Sequence, residues 1–253
     1  MPRIARKHSE TGTYHVFLRG INRQAIFEDT EDFDRFKGII AKARDTSRFS
    51  LLGYCLMGNH VHLLMRVGIE DVGQSVKRVA GGYAAWFNWK YDRAGHLFQA
   101  RFGSEPIETD DYLLAALRYI QRNPVAAKMC KMPEQYKWSS YSDYLGKGTG
   151  LTDITSVKNL VSGYSRDWRN WLIDFTQTEN GDNFIDFDDR SRLTDAMLRQ
   201  RAAELPGLSR RDSSGMPIKP ERDDAIRSLR DEGFGLRQIA RVTGIPYGIV
   251  RSR

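Results

Sequence analysis

The chain has 253 residues, of which 40% are hydrophobic and 28% charged, with a net charge of +7 and a pI near 9.4. That length suits a domain of about 150 residues with a smaller companion, and no apolar run approaches the roughly 18 residues of a membrane span. The start, "MPRIARKHSE", is basic but leads into no apolar signal core, so a cytoplasmic protein is expected.

The basic surplus suits a polyanionic partner, nucleic acid first, while a merely soluble basic protein stays open. Cys55 and Cys130 are the only cysteines, which reads as two free thiols in a reducing compartment.

In chain order, "TYHVFLRG" (Thr13–Gly20) is β-rich and ends at a glycine, as a first strand would. "DTEDFDRFKGIIAKARD" follows with Phe33, Phe36, Ile39, Ile40 and Ala43 at helical spacing and acidic residues near its start. "RFSLLGYCLMG" reads as a second strand, Gly58-Asn59 as a turn, and "HVHLLMRV" as the return strand of an antiparallel hairpin.

A helix is expected from about Asp71 to Lys90, weakened by Gly81-Gly82 by about 1–2 kcal/mol in total. "SEPIE" (Ser104–Glu108) is short enough for an edge strand. "TDDYLLAALRYIQRN" reads as a helix capped by Thr109 or Asp110, with Pro124 just beyond its end. The order β-α-β-β-α-β and then helix predicts an α+β, ferredoxin-like antiparallel sheet of four or five strands, with helices packed on it. Such a sheet leaves one face open for another element or a ligand.

"GKGTG" near 146–150 is a boundary signal, giving a first domain over 1–148 and a connecting, partly helical stretch over 149–220. Within it "WRNWLIDF" is aromatic, "DNFIDFDDR" acidic, "DAMLRQRAAEL" helical and "SRRDSSGMPIKP" linker-like. Residues 221–253 suggest helices at about 221–231, 235–242 and from 246. Ala240, Gly244 and Val250 suit a helix-turn-helix, with a small contact residue, a turn glycine and a core aliphatic. A DNA-binding segment and a plain three-helix packing unit both fit.

Two of the five histidines, His60 and His62, stand one residue apart in "YCLMGNHVHLLM". On a strand they face one side, with Val61 and Leu63 on the other. Two neutral imidazoles can each give a lone pair to a divalent ion, but structural histidines fit equally well, and two ligands make a poor site. Tyr119 and Asn123 in "LRYIQRNPVAA" lie four residues apart on one helical face. Asn123 could supply a third donor and Tyr119 a phenol beside it. A core aromatic and a helix cap are the plainer alternatives, and Tyr112 and Tyr83 compete for any tyrosine role.

Five stretches, "YHVFLRGINRQAIFED", "YCLMGNHVHLLM", "GHLFQARFGSEPIE", "YLLAALRYIQRNPVAA" and "YKWSSYSDYLG", follow one another in order across the first 145 or so residues. Together they resemble the REP-associated tyrosine transposases, a branch of the single-tyrosine HUH transposases of the IS200/IS605 type. The resemblance implies an HUH endonuclease fold, with His60 and His62 as the two-histidine metal motif. It implies Asn123 as the third protein ligand, Tyr119 as the nucleophile, and Mg²⁺ or Mn²⁺ as the ion. Where that family often has histidine, this chain has Gln121, which leaves the role of that position open.

The implied reaction is cleavage and rejoining of single-stranded DNA beside a palindromic REP-type hairpin, through a 5′-phosphotyrosine. The implied setting is nucleoid-associated, and a monomer is favoured over a dimer that supplies tyrosine in trans. Arg19, Arg23, Lys77, Arg78 and Arg101 are candidate DNA contacts, with solvated surface charge as the alternative for each. No residue stands out as the base for Tyr119; His96 is conceivable, with packing or phosphate contact equally open. The competing functions are an HUH replication or conjugation nickase, a hairpin-binding regulator without cleavage, and a structural nucleic-acid-binding protein.

Overall fold

Four strands, β1 (Thr13–Arg19), β2 (Ser50–Met57), β3 (His60–Arg66) and β4 (Gly103–Ile107), form one sheet in the order β2-β3-β1-β4. Every neighbouring pair is antiparallel. The computed structural model describes residues 7–68, 71–99, 101–148, 150–178, 195–209, 221–231 and 236–252. They belong to two compact units, Met1–Ile185 and Asp186–Arg253. β2 and β3 are joined across Gly58-Asn59, and Pro106 sits in β4, where an edge strand tolerates the missing N–H.

The two faces of the sheet are both apolar, because each is covered. Val16, Leu18, Tyr54, Leu56, Val61 and Leu63 pack against Phe36 and Ile40 of α1 (Thr30–Ser47) and Val76, Val79 and Tyr83 of α2 (Val72–Lys90). Leu52, Cys55, Met57 and Leu64 pack instead with Leu113, Leu117 and Ile120 of α3 (Asp110–Ala126). The face that α1 and α2 leave open is thus taken by α3. Close approach requires Gly53, where an added Cβ would stand 2.7 Å from Leu117 Cδ1.

Thr109 caps α3, its side chain accepting from Tyr112 N at 3.2 Å. The helix does not stop before Pro124 as the sequence suggested. It runs on to Ala126, and Ala127 N donates to the Asn123 carbonyl at 2.9 Å. Proline withholds only its own N–H, so donors beyond it can still close the last turn.

Residues 136–144, ending in α4 (Tyr141–Tyr144), run along the outer edge of β2. Tyr136 Oη donates to the Leu56 carbonyl at 2.7 Å and Leu56 N donates to the Trp138 carbonyl at 2.9 Å. Ser140 N donates to the Tyr54 carbonyl at 2.9 Å, and Ser140 Oγ accepts from Tyr54 N at 2.9 Å. Tyr144 Oη donates to the Leu52 carbonyl. Two further helices, α5 (Ile154–Val161) and α6 (Trp168–Gln177), add Val157, Val161, Trp168 and Leu172 to the core around α3.

The second unit is helical over its described residues: α7 (Asp195–Glu204), α8 (Pro206–Ser209), α9 (Glu221–Asp231), α10 (Leu236–Thr243) and α11 (Tyr247–Arg251). Its core gathers Leu198, Ile226, Leu229, Ile239, Ile245 and Val250, with Ala240 packed against it. Gly244 turns the chain between α10 and α11 at φ +74°, a conformation that favours glycine. The acidic "DNFIDFDDR" stretch and the linker over 210–220 lie outside the described residues. No helix among the described residues is long and apolar enough to cross a membrane.

Candidate active site

Strand register assembles one polar patch on the α3 side of the sheet. His60 of β3 pairs with Arg19 of β1, and His62 with Phe17; His15 of β1 pairs with Glu105 of β4. Alternation therefore puts His15, Arg19, His60, His62 and Glu105 on the same face. Phe17 lies across the sheet towards β4 only because its neighbour there is Gly103: an added Cβ would run into the Phe17 ring.

Helix α3 brings Tyr119 and Asn123 onto this patch, one turn apart. His60 Nε2 lies 3.4 Å from Asn123 Oδ1, and His62 Nε2 lies 3.4 Å from Asn123 Nδ2. The two rings stand perpendicular, 5.0 Å between centres. Tyr119 sets its ring edge-on to His62 at 5.8 Å and to His15 at 5.9 Å.

The outer nitrogen of each histidine is held from behind. Asn59 Nδ2 donates to the Arg23 carbonyl at 3.3 Å, which turns Asn59 Oδ1 towards His60 Nδ1 at 2.7 Å. Asn22 and Arg23, at φ 51° and 61°, form the left-handed turn that presents this carbonyl. His62 Nδ1 lies 3.0 Å from His15 Nε2. Burial pushes the His15 imidazole down to about 3. Burial also holds His62 well below the ordinary histidine value, helped by the neighbouring charges of His15, His60 and Arg19. Both rings are neutral near pH 7, the state a metal ligand needs.

This donor set fits a divalent ion. With its Nδ1 proton given to Asn59, His60 points an Nε2 lone pair at Asn123 Oδ1, so two acceptors face each other at 3.4 Å. A cation between them relieves that opposition. Two imidazole nitrogens and an amide oxygen would be its protein ligands. No group of three or more His, Cys, Asp or Glu side chains among the described residues offers an alternative metal site.

Of the candidate DNA contacts, Arg19 and Arg23 lie at this site, Arg19 only 5% exposed and Arg23 through its carbonyl. Lys77 and Arg101 do not join them. They line a separate cavity of about 610 Å³, with His96 and Leu18, on the α2 side of the sheet. Arg78 is also away from the histidines, donating from Nε to Ser47 Oγ at 3.0 Å. His96 is accordingly no neighbour of Tyr119.

The hydroxyls of the two competing tyrosines have other partners, that of Tyr112 a carboxylate at the border of the patch itself. Tyr83 is fully buried on the α2 side and donates to the Ile26 carbonyl at 2.5 Å, while Tyr112 donates to Glu105 Oε1. Gln121 points away from the patch, its Nε2 donating to Ser140 Oγ at 2.8 Å, so it ties α3 to the guarded edge of β2. Sequence reasoning missed His15, Asn59 and Glu105. The signal for His15 was its place in a β-rich run, which becomes informative once the β1–β3 register is known.

The four-stranded antiparallel sheet with its flanking helices is an HUH-like core. Residues 8–123 match the family described as "Transposase IS200 like". Among solved structures, the chain is similar to a REP-associated tyrosine transposase bound to a REP hairpin. The TM-score is 0.50 at 19% identity, over 74% of this chain and 100% of that one, a likeness of fold. A transposase candidate from Deinococcus radiodurans R1 is also similar, at TM-score 0.34 and 19% identity over 43% of this chain and 88% of that one, too loosely to carry an argument. No curated protein sequence matches the chain.

Proposed function

We infer that this chain is a metal-dependent transposase that cleaves and rejoins single-stranded DNA beside REP-type palindromic hairpins through a 5′-phosphotyrosine. The observation that carries the reading is the convergence of His60 Nε2, His62 Nε2 and the Asn123 amide, with the Tyr119 ring packed on His62. The REP hairpin held by a relative of similar fold supports the choice of DNA.

His60, His62 and Asn123 would hold Mg²⁺ or Mn²⁺. When bound, such an ion draws negative charge from the scissile phosphate. Arg19, buried beside His60, adds fixed positive charge where that phosphate would lie. Tyr119 Oη, its proton passing to water, forms a bond to phosphorus as the bond from phosphorus to the 3′ oxygen breaks. The departing strand takes up a proton as a free 3′-hydroxyl. Attack of a DNA 3′-hydroxyl on the phosphotyrosine reverses these steps and joins a strand without ATP. The second unit, with its tight turn at Gly244, would contact duplex DNA as a helix-turn-helix.

Incubating labelled single-stranded hairpin DNA with the protein and Mn²⁺ or Mg²⁺ should give a covalent 5′-phosphate adduct that Tyr119→Phe does not form. Normal adduct formation by that variant overturns the nucleophile. Tight binding without cleavage by the wild-type protein in either metal would make the chain a hairpin-binding module instead.

A further inference from the structure

We propose that His15, oriented by Glu105, is a positioning residue that fixes the tautomer of His62 and so turns its Nε2 lone pair towards the ion. This rests on the metal reading of the site given above. Each neutral imidazole carries a single proton, and the 3.0 Å contact between His15 Nε2 and His62 Nδ1 needs it on one side only.

Two arrangements are open to that pair. If His15 Nε2–H donates, His62 Nδ1 accepts, its proton sits on Nε2, and it has nothing to offer a cation. If His62 Nδ1–H donates, His15 Nε2 accepts, and the His15 proton moves to its own Nδ1. Glu105 Oε2 stands 4.0 Å from His15 Nδ1. A carboxylate there favours a proton on the facing nitrogen and so selects the second arrangement. Tyr112 Oη donates to the other oxygen of the same carboxylate, Oε1, which steadies it.

His15 is fully buried, and its ring is stacked on His62 at 5.2 Å and 22°. Simple packing would explain that burial, but not a nitrogen-to-nitrogen contact backed by a carboxylate on the next strand. The arrangement mirrors Asn59 behind His60, so each histidine of the pair has its own orienting partner.

The test uses the full chain with ¹⁵N-labelled histidine. Long-range ¹H–¹⁵N correlation spectra of the metal-free protein should show His62 as the Nδ1–H tautomer. His15→Met keeps apolar bulk without an acceptor, and should shift His62 towards Nε2–H and weaken Mn²⁺ binding about 10- to 100-fold. His15→Gln places an amide oxygen near the lost Nε2 and should restore Mn²⁺ binding to within about threefold.

Glu105→Gln, with the same shape and no charge, should shift the tautomer and weaken Mn²⁺ about 3- to 10-fold, which decides the matter if His15→Met fails to fold. Nε2–H on His62 in the wild-type protein overturns the proposal. Mn²⁺ binding that is equal in wild type, His15→Met and Glu105→Gln overturns the positioning role alone. A wild-type protein that binds no Mn²⁺ overturns the metal reading and the positioning role together.

Discussion

The guanidinium of Arg118 lies 4.1 Å from the centre of the Phe175 ring, so α6 grips α3 one residue before Tyr119. One turn later Arg122, just before Asn123, donates from Nη1 to the carbonyls of Thr176 (3.3 Å) and Gln177 (2.7 Å). The helix that carries the tyrosine is thereby braced from its far side by groups at the end of α6, whose last carbonyls have no helical donors.

A chain cut after residue 148 should therefore lose its fold, while one cut after 185 should keep both fold and adduct formation. The shorter piece gives up Val157, Val161, Trp168 and Leu172, all buried, at about 1.5–3 kcal/mol each. That sum rivals the usual 5–15 kcal/mol of total stability. Urea unfolding of the two pieces checks it, and cooperative unfolding of the shorter one would refute the brace.

Asn123 touches both histidine Nε2 atoms, so its chemistry should set metal affinity. Asn123→Ala should weaken Mn²⁺ about tenfold by removing a ligand, and Asn123→Asp should strengthen it about as much by adding charge. Calorimetric titration measures both. An alanine variant that binds as tightly as wild type would remove Asn123 from the ligand set.

Two glycines should respond in opposite directions. Gly103→Ala drives a methyl into the Phe17 ring and should cost about 1–3 kcal/mol. Gly81 lies inside α2 with nothing within 4 Å of an added Cβ. Gly81→Ala should stabilise by about 0.5–1 kcal/mol through helix propensity and lost chain entropy. Denaturant midpoints separate the two.

Asp153 caps α5. Burial opposes its ionisation, but hydrogen bonds from the Ser156 hydroxyl and backbone N–H prevail and hold the carboxyl below the usual range. A carboxyl whose folded pKa is depressed stabilises above its unfolded value of about 3.9 and loses that contribution as pH falls through the folded pKa. Wild type should thus exceed Asp153→Asn in stability near neutral pH, with the gap shrinking as pH falls below the unfolded value and through the depressed folded one. Urea midpoints across that range test it, and a pH-independent gap would show that charge is not the cause.

Much of this architecture was legible in the chain. The β2–β3 hairpin announced itself through Gly58-Asn59, and strand alternation put His60 and His62 on one face. The i, i+4 spacing put Tyr119 and Asn123 on another. What stayed hidden was which elements meet. "TYHVFLR" is buried on both sides, at every position, so its pattern gave no phase, and only the register beside β3 and β4 shows His15 between His62 and Glu105. Charge alone could not place Lys77, Arg78 and Arg101, because a basic side chain on a surface helix or loop reads the same on either side of the sheet. The brace from α6 was invisible for a related reason: nothing in the sequence around Arg118 and Arg122 shows that Phe175, Thr176 and Gln177 meet them.

The guarded edge of β2 has one more consequence. A bare edge strand is a template for further pairing, yet the groups of Leu52, Tyr54 and Leu56 that face outwards are already met by residues 136–144. At the opposite edge, Pro106 interrupts β4. The sheet cannot be lengthened along β2 by a strand from another molecule unless that segment first peels away. A second copy or an unfolded chain is thus kept from the β2 edge, where runaway strand addition, the common failing of exposed sheets, is checked by the protein's own backbone.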